Sequence, residues 1–97
     1  MKNESDVKKE IKKVLKRLGA WYFMPVQTGF GVQGIPDFIV CISGKFVGIE
    51  AKFGNNKESA WQIRQGAAIA DANGVYLVIY ETDLVYMETM LEAVAVL

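Results

Sequence analysis

The chain predicts a mixed α/β domain in the order α-β-β-β-α-β-α, with a small mixed central sheet flanked by helices. Three observations predict it. Apolar residues recur at helical spacing near the start. Two β-branched runs follow, separated only by Ser43-Gly44. A capped helical segment then parts that hairpin from one more short apolar run. At 97 residues the whole chain, 1–97, is a single small domain.

Each element has its own signal. Over residues 5–18, Val7, Ile11, Val14, Leu15 and Leu18 form one stripe, with lysines on the other faces, and Gly19 stops the helix. "AWYFMPV" reads as a strand, with Pro25 placing it at a sheet edge or marking its end. Strands Asp37–Ile42 and Lys45–Phe53 follow as a hairpin. Ser59 with Gln62 three positions on is a capping-box pattern, opening a helix that runs to about Ala72. Asn73-Gly74 ends it, "VYLVIY" is an apolar strand, and Thr82 or Asp83 can cap a last helix through about Val94.

Composition narrows the chemistry. There is no histidine, which excludes imidazole acid–base catalysis, Ser-His-Asp and Cys-His triads and most zinc sites. A lone Cys41 within an apolar run reads as a small buried residue in a reducing compartment. No apolar run approaches the roughly 18 residues of a membrane span, and "MKNESDVKKE" has no apolar stretch behind it, so a cytoplasmic protein without a secretory signal is expected. The apolar fraction of 52% implies a dense core or surface covered by a partner. Net charge is zero, yet residues 1–64 hold all eleven Lys and Arg against six acids, while residues 65–97 hold five acids and no base. Either this is a solvated basic helix with an acidic tail helix, or it is a basic surface for a polyanion.

"TGFGVQGIPD", residues 28–37, contains G-x-G-x-x-G, the phosphate cradle of dinucleotide-binding folds. That cradle must lead into a helix whose N-terminal N–H groups meet the pyrophosphate. Here Pro36 and the β-branched run behind it lead into a strand, so no nucleotide cofactor is expected. The carboxylates carry the better signal. In "KFVGIEAKF", Gly48, Glu50 and Lys52 share one strand face, while Ile49, Ala51 and Phe53 share the other. A half-buried strand would turn Glu50 and Lys52 outward together, roughly 7 Å apart. The hairpin can bring Asp37 beside Glu50. Two carboxylates that close repel unless a cation is shared, and Mg²⁺ suits one or two carboxylates with water and phosphate completing its shell. Lys52 can orient the attacking water and neutralise phosphate charge, and Gly48 leaves room beside the ion.

With these residues in place, "GIPDFIVCISGKFVGIEAK" resembles the PD-(D/E)xK nuclease signature, and more narrowly the virus-type replication-repair nuclease (VRR-NUC) domain. The likeness runs from about Glu4 to Tyr80 and is most specific over Gly34–Lys52. It implies a restriction-endonuclease-like fold and Mg²⁺- or Mn²⁺-dependent hydrolysis of DNA. Asp37 and Glu50 would bind metal, the Ala51 carbonyl would complete the site, Lys52 would be catalytic, and Gln62 would lie near the scissile phosphate. For Gln62 this stands beside the capping role. Glu4 is a further metal candidate: it falls on the apolar arc of the first helix, two turns before Ile11, whereas Glu10 lies at its edge. Lys9, Lys12 and Lys16, the loop residues Thr28, Gly29 and Gln33, and Lys57 are candidate DNA contacts. Trp21, Tyr22 and Phe30 could stack on unpaired bases, with core packing the alternative for the first two. The resemblance also implies a phage or prophage source and a homodimer, whose paired sites would suit branched DNA such as a four-way junction. The rival is a catalytically silent nucleic-acid-binding subunit of the same fold.

Overall fold

The computed structural model describes residues 1–97. Helix α1 (Glu4–Arg17) starts where the Asn3 side chain accepts the Asp6 N–H, and it ends before Gly19 at φ +68°. Strand β1 (Trp21–Phe23) is shorter than "AWYFMPV" suggests, because the chain leaves the sheet ahead of Pro25, which has no N–H to offer a ladder. Strands β2 (Phe38–Ile42) and β3 (Lys45–Ala51) form the expected hairpin. Its two turn residues, Ser43 and Gly44, have φ of 50° and 77°, which matches a two-residue turn to the strand twist. Helix α2 (Ala60–Asp71), strand β4 (Val75–Ile79) and helix α3 (Leu84–Ala95) complete the expected order. A 3₁₀ turn, Glu81–Asp83, precedes α3. Asp83 holds the N-cap position of that helix, but its side chain makes no cap bond; its carboxylate accepts the Tyr80 N–H instead.

The sheet is mixed, in the order β1-β2-β3-β4. β1, β2 and β3 pair antiparallel, and β4 lies parallel to β3 after the α2 crossover. One face, with Phe38, Val40, Val47, Ile49, Ala51 and Ile79, is buried beneath the stripe of α1 (Val7, Ile11, Val14, Leu15) and Met87, Leu91 and Val94 of α3. No helix is long and apolar enough to cross a membrane.

The opposite face is covered by α2 and by Pro36 of the preceding loop, and only over β3 and β4. The helix approaches closely because two facing positions lack side chains. A Cβ on Gly66 would lie 2.4 Å from the Tyr76 ring, and one on Gly48 would lie 2.9 Å from Pro36 and 3.0 Å from Ile69. The space at Gly48 is therefore filled by packing, not left open for an ion. The β1–β2 half of this face stays bare: Trp21 and Phe23 stand edge to face with ring centres 5.7 Å apart, and Cys41 opposite Trp21 is exposed. Cys41 was expected in the core, but its position in the alternation turns it to the side that α2 does not reach.

Alanine at a helix interior normally gains about 1 kcal/mol over glycine. At Gly66 the sign should reverse, because the added methyl group must displace the Tyr76 ring. Gly66→Ala is expected to destabilise the domain by about 1–3 kcal/mol in denaturant unfolding; a gain in stability would refute the close-approach account.

Candidate active site

The hairpin register builds the site. Phe38 pairs with Ile49, so the next pair outward is Asp37 with Glu50. Asp37 lies just outside β2, where its Oδ2 accepts the Ala51 N–H at 2.9 Å. A side chain thus extends the ladder by one bond. Ala51 is fully buried, and Lys52 just beyond the strand donates its N–H to the Ile79 carbonyl at 2.9 Å.

Sequence periodicity suggested that Glu50 and Lys52 face outward. They do not: Glu50 is 3% exposed and Lys52 8%. The alternation is as expected, but α2 covers the face that the alternation alone would leave to solvent. Gln62, in the first turn of α2, donates from Nε2 to Glu50 Oε2 at 2.7 Å. Its Oε1 accepts the Ser59 N–H at 2.8 Å, while Ser59 Oγ accepts the Gln62 N–H at 3.2 Å. The two roles open to Gln62 from sequence are thus not exclusive, since one carboxamide closes the capping box and reaches the carboxylate.

Lys52 Nζ lies 3.5 Å from Glu50 Oε2 and 3.8 Å from Glu4 Oε1. Glu4 also accepts from Asn56 Nδ2 at 3.4 Å, so it enters the site as a partner of the lysine. Glu10 points away and pairs with Lys13 at 3.0 Å. Lys8, which sequence reasoning passed over, places Nζ 3.5 Å from Asp37 Oδ1. Its signal was available: it follows Glu4 by one helical turn and so shares that face of α1.

The remaining candidates make none of these contacts. Lys9, Lys12 and Lys16 line a groove along the outer side of α1 with Lys2 and Lys13, and Asp6 and Glu10 line it too, so the excess there is basic. Thr28, Gly29 and Gln33 are exposed in the loop before Pro36, as is Lys57 after β3. Phe30 is fully exposed, whereas Tyr22 packs against Phe38. That loop ends at Gly34, whose φ is +78° and whose Cβ, if present, would lie 2.3 Å from the Trp61 carbonyl carbon. Gly34 therefore seats the loop on the turn that presents Gln62. The connection from β3 to α2 is held in turn by Glu81 accepting the Gly54 N–H, by Tyr80 Oη donating to the Asn56 carbonyl, and by Tyr76 Oη donating to Glu58.

Burial pushes the Glu50 carboxyl up to about 7, the Asp37 charge adds to the shift, and Lys52 opposes it. Its Oε1 is buried with no hydrogen-bond partner. An orphaned carboxylate oxygen beside a second carboxylate is a donor set that fits a hard divalent cation. No group of three or more His, Cys, Asp or Glu is gathered as a cage. Mg²⁺ does not need one, because it commonly takes one or two carboxylates and keeps several waters. No family model matches the chain, and no curated protein matches it significantly.

The Glu50 shift carries a pH-dependent cost. Below its ordinary value of 4.5 the group is protonated whether folded or unfolded, and burial costs nothing. As pH rises to about 7 the unfolded chain ionises first, and the folded state loses ground. Glu50→Gln should therefore stabilise the domain above pH 7, by an amount on the order of 3 kcal/mol at most, and have little effect at about pH 4.5. Denaturant midpoints at the two pH values test this, and equal effects at both would rule out a desolvated Glu50.

Proposed function

We propose that this domain is a Mg²⁺- or Mn²⁺-dependent deoxyribonuclease of restriction-endonuclease-like fold, related to the VRR-NUC domains. The observation that carries the reading is the meeting of Asp37, Glu50 and Lys52 at one end of a hairpin, with a buried Glu50 oxygen left unpartnered. The two carboxylates would hold the cation, which when bound supplies Lewis-acid polarisation of the scissile phosphate. Lys52 orients the attacking water and offsets the charge that develops on the phosphate. Gln62 fixes Glu50 and lines the approach to the phosphate. Because Glu50 is half-protonated near neutrality, cation binding should release a proton there. The basic groove of α1 supplies contacts to the DNA backbone, which give affinity without sequence reading.

Labelled linear, flapped and four-way DNA incubated with the protein should be cut only with a divalent cation. Asp37→Asn, Glu50→Gln and Lys52→Met should each lower the rate by at least about 100-fold while the fold survives. Cleavage in chelator, or by any of these variants at the parent rate, overturns the mechanism. Binding without cleavage in any metal would instead identify a silent DNA-binding subunit.

We further propose a homodimer, the arrangement that would present two such sites to a branched substrate. Support comes from the apolar side chains left outside the core, among them Trp61 and Ile63 on α2 and Val85 and Tyr86 on α3. Light scattering at micromolar concentration should return twice the 10.8 kDa chain mass. A monomer would remove the paired-site arrangement and leave the single-site chemistry untouched.

A further inference from the structure

We infer that Lys8 is a phosphate-binding residue of this site, contacting a non-bridging oxygen of the DNA backbone on the Asp37 side. The inference rests on the DNA-cleaving reading and names a contact within it.

Three observations carry the assignment. First, α1 lays one row of side chains over the mouth of the site, with Glu4 reaching Lys52 and Lys8, one turn on, reaching Asp37. Lys12, one turn further on, lines the groove on the outer side of α1, so Lys8 stands between that groove and the carboxylates along the helix. Second, Asp37 does not need Lys8 to stay in place. Its Oδ2 is fixed by the Ala51 N–H, and Lys8 reaches only the other oxygen, at 3.5 Å, which is a charge contact and not a tight hydrogen bond. Third, the Lys8 side chain remains 34% exposed, whereas the Lys52 side chain is 10% exposed. The two lysines thus divide the work. Lys52 is sunk between Glu50 and Glu4 and cannot follow the substrate, while the Lys8 ammonium sits on a flexible stem at the solvent edge. A phosphate lying across Asp37 and Glu50 would meet it first.

The plain alternative is that Lys8 only offsets the charge of Asp37. A double-mutant cycle on DNA binding separates the two, measured in chelator so that nothing is cut. Asp37→Asn can still accept the Ala51 N–H and frees Lys8 from its partner. Lys8→Met keeps the aliphatic stem, and Lys8→Arg keeps the charge. Asp37→Asn alone should tighten binding to labelled duplex or four-way DNA several-fold. Lys8→Met should weaken it about tenfold in both the parent and the Asp37→Asn background. It should also make the slope of log affinity against log salt shallower by about 0.9 on duplex. Lys8→Arg should restore both. If Lys8→Met has no effect once Asp37 is neutral, the residue is a counter-charge and the inference is overturned. A parent protein that binds and cuts DNA while the Lys8 variants bind as it does removes only this contact. A parent that binds no DNA at low salt removes the nuclease reading and the contact with it.

Discussion

The close approach of α2 to the sheet is the constraint on which the rest of this molecule depends. Gly48 and Gly66 let the helix come down onto β3 and β4, and Gly34 lets the preceding loop press against its first turn. That contact buries Glu50, brings Gln62 to it, and leaves the β1–β2 half of the same face uncovered. A side chain at any of the three positions would clash with what packs there: the Trp61 backbone at position 34, Pro36 and Ile69 at position 48, and the Tyr76 ring at position 66. The raised Glu50 carboxyl is thus a consequence of backbone packing before it is a property of the site.

Charge is arranged as an alternation around that buried group. Lys8 meets Asp37 on the outer side, and Lys52 lies between Glu50 and Glu4 on the inner side. With all three carboxylates ionised against two ammonium groups the cluster would carry one surplus negative charge, and burial eases it by raising the Glu50 carboxyl to about 7. The carboxylates are not gathered into a closed cage of three or more ligands. The lysines of α1 line its outer side, and the last third of the chain, after residue 64, holds five acids and no base.

The element order, the hairpin and its two-residue turn were legible because their signals are local: periodicity, a capping pair and turn residues each act within a few positions. The pairing of Asp37 with Glu50 was legible for the same reason, since a tight turn fixes the register of both strands. The burial of Glu50 and Lys52 was not. Alternation tells which residues share a face and says nothing of what covers it, and α2 lies beyond the hairpin in the chain. Cys41 fails in the opposite direction on the same face, read as buried from its apolar neighbours and left exposed where α2 stops short. That Lys8 shares a face of α1 with Glu4 was legible from their spacing; that this face meets Asp37 and Lys52 depends on how α1 crosses the sheet end, which no local pattern encodes.

Gln62 holds two duties with one carboxamide, and this limits how position 62 can change. The capping box needs an acceptor at the reach of the glutamine carboxamide, which glutamate would also supply. The bond to Glu50 needs a donor at the same reach, and glutamate at neutral pH has none. Asparagine has both groups but is a methylene short. Lysine and arginine donate but cannot accept. Unlike these four, glutamine supplies both the acceptor that Ser59 needs and the donor that Glu50 needs, so a substitution at position 62 disturbs the helix start and the carboxylate together.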